Sequence, residues 1–179
     1  TVDNISLIAS SIMSKKLASG ADTIVLDVKA GNGSFLQTRE EAEEVAEAMV
    51  SIGKSADKNI MALVTDMNQP LGNGVGNSIE VQEAIEILQG LHDGRLKELS
   101  IMLAANMLVA SRTKPNLQEA RKAAEQALRS GTALSKLAEM IAAQDGDPTI
   151  CDNTAKLPKA ARKIPVIADQ TGYVSNIVS

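Results

Sequence analysis

The sequence predicts an α/β protein: a parallel or mixed sheet flanked by helices, with a helix-rich second half and a short β segment at the C-terminus. Two β-branched, apolar runs, "TIVLDVK" from Thr23 to Lys29 and "NIMALVT" from Asn59 to Thr65, alternate with segments whose apolar residues recur at helical spacing. Strand and helix alternate twice in this way, the signature of parallel strands joined by crossover helices. The 179 residues are 44% apolar, enough for one α/β unit with its own core. Phe35 and Tyr173 are the only aromatics, so that core is aliphatic.

The first helix is expected from Asn4 to Ser19, because Ile5, Ile8, Ala9, Ile12 and Met13 share a face and Gly20 stands where a helix-ending glycine belongs. The first strand lacks apolar-polar alternation, which predicts cover on both faces. Thr38 with Glu41 forms a capping box, and Ala42, Val45, Ala46, Met49 and Val50 make the stripe of a second helix ending near Gly53. Asn77 with Glu80 is expected to cap a third helix that stops at Gly90. Beyond Gly94 the pattern stays helical, over Leu96 to Ser111, Asn116 to Arg129 and Thr132 to Ala143. The stretches "QDGDPTI" and "KLPKA" read as loops, and residues 164 to 178 as two short β segments around a turn at Gln170 to Gly172.

A formal charge of −4 with both signs interspersed leaves no basic stripe for a phosphate backbone and no polybasic membrane patch. With aromatics so scarce, base-stacking recognition of nucleic acid is also disfavoured. Polynucleotide and membrane are therefore not expected partners. Cys151 and His92 each occur alone, so neither an intrachain disulfide nor a Cys/His metal site is expected, and a reducing cytoplasm fits best. The chain opens on Thr1 with an amphipathic segment close behind, which predicts a piece cut from a longer protein.

Two glycine-rich loops, "DVKAGNGSF" and "TDMNQPLGNGVGNSIE", follow the two strands and would project from one carboxyl edge, where open α/β sheets hold ligands. Glycines at 72, 74 and 76 miss the G-x-G-x-x-G spacing of a dinucleotide site. They serve either turns that need positive φ or a main chain that a small ligand approaches closely. Asp27 and Lys29 at the first strand end could be no more than an edge ion pair. Ser11 and Lys15, four apart on the first helix, lie within roughly 40° of each other around its axis. They are either donors for a polar ligand or a serine beside a snorkelling lysine. His92 reads as a solvated turn residue, and no catalytic triad or zinc pattern is present.

The stretches "DNISLIASSIMSKKLASGADTIVLDVKAGNGSF", "ALVTDMNQPLGNGVGNSIEVQEAIEILQG", "MIAAQDGDP" and "ADQTGYV" closely resemble the pyrimidine-nucleoside phosphorylases, including thymidine phosphorylase, in order along essentially the whole chain. The resemblance implies reversible phosphorolysis of a pyrimidine nucleoside, thymidine or uridine, with phosphate as co-substrate and no organic cofactor. It assigns residues 1–163 to part of the α/β domain and residues 164–179 to a β segment leading into a C-terminal domain beyond this sequence. It also implies a missing N-terminal region with the phosphate-binding lysine and serine-rich loop, an inactive isolated fragment, and a homodimeric, cytoplasmic parent.

By that resemblance Ser11 and Lys15 bind the pyrimidine base, together with an arginine that would lie before Thr1. Leu71, Gly74 and Glu83 match a potassium site. No residue of this stretch is implied as a covalent or acid-base catalyst. Gly74 stands where the family usually has alanine, and "NIS" at Asn4 to Ser6 replaces Ser-Ile-Pro. The alternatives are a non-catalytic α/β binding module and a related phosphoribosyltransferase.

Overall fold

The computed structural model describes residues 4–178; the expected outer bounds at residues 1 and 179 lie outside them. It is an α/β structure with a two-stranded parallel sheet and six α-helices among the described residues. These are α1 (Ile5–Ala18), β1 (Thr23–Ala30), α2 (Arg39–Ser55), β2 (Asn59–Asp66), α3 (Asn77–Leu88), α4 (Arg95–Ala110), α5 (Leu117–Arg129) and α6 (Thr132–Ala143). The single unit expected from composition divides into two compact ones. One holds residues 4–70, 99–124 and 178, the other residues 71–98 and 125–177.

In the first unit β1 and β2 run in parallel, with Thr23 opposite Asn59 and Ala30 opposite Asp66. Along β1 the residues Ile24, Leu26 and Val28 are buried while Thr23, Val25, Asp27 and Lys29 are half-buried. Both faces of β1 are thus covered, but unequally. Cover is deeper on one face because α1 and α2 meet there: Ala9 and Met13 join Ala42, Val45, Ala46 and Met49 over the strands. Gly53 lets α2 close onto β2, since a Cβ there would stand 2.6 Å from the Ile60 side chain. Asn59 donates its side-chain amide to the Ala110 carbonyl, satisfying one of the orphan acceptors at the end of α4.

In the second unit α6 packs on a short 3₁₀ turn, Pro148–Cys151, and touches α3. Gln89 donates to the Cys151 carbonyl at 2.9 Å. Cys151 is buried, which pushes its thiol pKa up.

The expected β segments between residues 164 and 178 do not form. A strand exists only by pairing, and β1 and β2 pair with each other; Val166 and Tyr173 lie fully exposed. No helix among the described residues is long and apolar enough to cross a membrane.

Candidate functional site

The carboxyl ends of β1 and β2 are joined into one surface by their loops. Met67 donates its N–H to the Ala30 carbonyl at 2.7 Å, and Gly33 donates to the Met67 carbonyl at 2.9 Å. Asn32 donates its N–H to Asn68 Oδ1 at 3.2 Å and its side-chain amide to the Asn68 carbonyl at 3.0 Å. Asn68 is itself fixed, because its Nδ2 and N–H reach Asp66 Oδ1 at 2.5 and 3.3 Å. Gly31 is buried at φ +129°, and a Cβ on it would stand 2.8 Å from the Asn68 nitrogen and Oδ1, so only glycine fits beneath the second loop.

The first loop is tied at almost every residue. The Gly31 N–H donates to the Leu36 carbonyl at 2.9 Å, the Ser34 hydroxyl to the Lys29 carbonyl at 2.8 Å, and the Gln37 N–H to Glu41 Oε2 at 2.8 Å. Phe35, at the tip, keeps its side chain 93% exposed.

Asp27 and Lys29 do form the ion pair anticipated, at 2.7 Å, because residues two apart share a strand face. Thr65, opposite Lys29 in the register, completes the cluster: it donates to Asp27 Oδ1 at 2.5 Å and accepts from Lys29 Nζ at 3.0 Å. Beside it, an open groove of about 1150 Å³ runs between α2 and the outer edge of β2, lined by Arg39, Glu43, Lys54, Val64, Asp66 and Asn68. It includes none of Ser11, Lys15 or Glu83.

Ser11 and Lys15 are both exposed on α1. The Ser11 carbonyl accepts the Ser14 hydroxyl at 3.0 Å. Lys15 shares the last turn of the helix with Lys16, where the helix dipole favours cations whether or not a ligand binds.

In the second unit the loop at 71–76 folds over Glu83. Its carboxylate accepts the Asn73 N–H at 2.8 Å on Oε1 and the Gly74 N–H at 2.8 Å on Oε2. These backbone donors hold the Glu83 pKa below the usual glutamate range. Gly72 packs so closely on Glu83 Oε2 that a Cβ there would collide with it. The glycines of this loop are therefore needed first by a carboxylate of the chain itself. His92, at the far end of α3, sits 3.0 Å from Glu86 Oε2. Among the described residues no group of three or more His, Cys, Asp or Glu gathers as a metal site would need.

The family described as glycosyl transferase family, a/b domain, matches residues 1–134. The chain belongs to this family. Among proteins similar to this glycosyl transferase a/b domain are the pyrimidine-nucleoside phosphorylases of Staphylococcus aureus strains USA300 and NCTC 8325. Each is 49% identical over all 179 residues, which span 41% of the relative's length. That of strain COL stands at the same 49%.

Sequence reasoning found the two strand-end loops of this glycosyl transferase domain, Asn68 within the second of them, and the Asp27–Lys29 pair, but gave no role to Thr65 or Asn32 and did not foresee that Asn68 meets Asn32. A signal for Thr65 existed: once β1 and β2 are aligned in parallel from their first residues, Thr65 falls opposite Lys29. The link between Asn32 and Asn68, 36 residues apart, had none.

Proposed function

We propose that this chain is part of a pyrimidine-nucleoside phosphorylase, which splits thymidine or uridine with phosphate into free base and pentose 1-phosphate. The 49% identity along all 179 residues to proteins of that name carries the reading. Ser11 and Lys15, exposed four residues apart on α1, support it as donors for the pyrimidine base. A phosphate oxygen attacks the anomeric carbon while the C–N bond breaks, and the bonding electron pair leaves with the base. Negative charge grows on the ring, and an ammonium and a hydroxyl aimed at base oxygens stabilise that charge more in the transition state than in the bound nucleoside.

The same reading gives Leu71, Gly74 and Glu83 to a potassium ion. The donor chemistry fits a hard monovalent cation: Glu83 is kept ionised, and the loop brings main-chain carbonyls without imidazole or thiolate. The amides on Glu83 leave the carbonyls of Leu71 and Gly74 as the atoms for a cation to take. Potassium here orders the loop and takes no part in bond breaking. The whole protein is read as a cytoplasmic homodimer on the resemblance alone.

The test is release of thymine or uracil by the whole protein, followed with and without phosphate. Phosphate-dependent release is expected from the whole protein and none from the 179-residue chain alone, which spans 41% of the relatives' length. Release of base independent of phosphate would overturn the assignment; phosphate-dependent turnover by the isolated chain would overturn its expected inactivity.

A further inference from the structure

We propose that Asn68 is a positioning residue for nucleoside binding: by clasping Asn32 it holds loop 31–38 in the one shape that presents a preformed wall to the nucleoside. The inference rests on the phosphorylase reading, but the residue it names comes from the geometry of the strand ends. Asn68 touches loop 31–38 at two atoms, Oδ1 and its carbonyl, and both face Asn32 at 3.0 to 3.2 Å. Asp66 behind it takes Nδ2 at 2.5 Å, which turns Oδ1 toward Asn32. Gly31, φ +129° and buried, admits Asn68 at a distance that no side chain at 31 would tolerate. The chain Asp66–Asn68–Asn32 therefore crosses the carboxyl edge of the sheet, where ligands of α/β folds bind.

A wall made before the ligand arrives spares the nucleoside the cost of ordering the loop. Loss of the clasp should therefore weaken nucleoside binding and leave phosphate binding untouched. Asn68→Ala in the whole protein removes the Oδ1 acceptor and keeps the carbonyl, so it should raise KM for uridine by about fivefold, the size expected for losing one loop-ordering hydrogen bond. KM for phosphate should stay within about twofold, since nothing on loop 31–38 is assigned to phosphate. Asn32→Ala removes the other bond, from Nδ2 to the Asn68 carbonyl, and should raise KM for uridine in the same way; the double variant, which loses both halves of the clasp, should be worse than either single one. A purely structural role would instead lower the melting temperature and the active fraction without separating the two KM values.

Amide hydrogen exchange gives a second readout that does not depend on turnover. The amides of Gly31, Gly33 and Ser34, bonded to Leu36, Met67 and Gly31 carbonyls, should be protected, and Asn68→Ala should release them. A wild-type protein that lacks phosphorolysis defeats the phosphorylase reading and leaves the clasp to be decided by exchange alone. An active wild type whose Asn68→Ala variant keeps both KM values and its loop protection overturns the inference.

Discussion

At the scale of single residues, Glu83 decides what its loop can be. Four contacts from Asn73 and Gly74 converge on one carboxylate, and the collision of a Cβ at Gly72 with Oε2 follows from that convergence. Because the folded pKa of Glu83 is depressed, its share of stability is complete above the ordinary glutamate value of about 4.3 and is lost as pH falls through the lower folded value. Glu83→Gln keeps the shape, removes the charge and replaces one acceptor oxygen with a donor. In the whole protein it should cost on the order of 1 kcal/mol near neutral pH and nothing at the acid end. Potassium should raise the wild-type melting temperature above that in choline at equal ionic strength, by mass action on the folded state, and should leave the variant unmoved. Equal melting of wild type in both salts counts against the cation, and a variant as stable as wild type counts against the latch. The glycines of this loop were legible from the sequence as a bare backbone. What they accommodate was not, since Glu83 lies eleven residues past Gly72 and only the fold of the loop brings them together.

At the scale of elements, local chemistry was legible wherever the signal is a short-range hydrogen bond. The Thr38 hydroxyl accepts the Glu41 N–H at 3.2 Å while Glu41 Oε2 takes the Thr38 N–H at 3.1 Å, so the capping box expected at the start of α2 is present. Removing its first half should show as a stability loss of about 1 kcal/mol for Thr38→Ala in urea unfolding, with the denaturant slope unchanged. No shift in the midpoint would mean that the packing of α2 on β1 and β2, rather than the cap, sets where the helix begins. The cap of α3 was placed one residue late. Gly76, at φ +129°, takes the cap position, and only Glu80 reaches back, to the Gly76 N–H at 2.7 Å. An Asx-x-x-Glu pattern and a Gly-preceded one differ by a single step, and the sequence favours the residue with a side chain.

At the scale of the molecule, α/β alternation was legible because two apolar runs stand between helical stripes, and the parallel β1–β2 pair agrees with it. The reading failed at residues 164 to 178, where β-branched composition suggested strands. Apolar alternation states a capacity to pair, and a strand appears only where a partner edge is supplied. The division into two units was also not legible, because contacts among α3, α6 and the turn at Pro148–Cys151 depend on tertiary packing that no short motif records.

The central claim, that the chain carries the base-binding helix of a pyrimidine-nucleoside phosphorylase, comes down to Lys15. Its ammonium is assigned to an oxygen of the departing base; the competing account makes it a helix-end cation that neutralises the dipole of α1. Lys15→Met keeps most of the apolar stem and removes the charge, so the most direct measurement is kcat/KM for phosphorolysis of uridine by the whole protein with this substitution, beside a melting curve. The account predicts a loss of roughly 3 kcal/mol in transition-state stabilisation, on the order of a hundredfold in kcat/KM, with melting little changed. Near-normal turnover by a normally folded variant would contradict it.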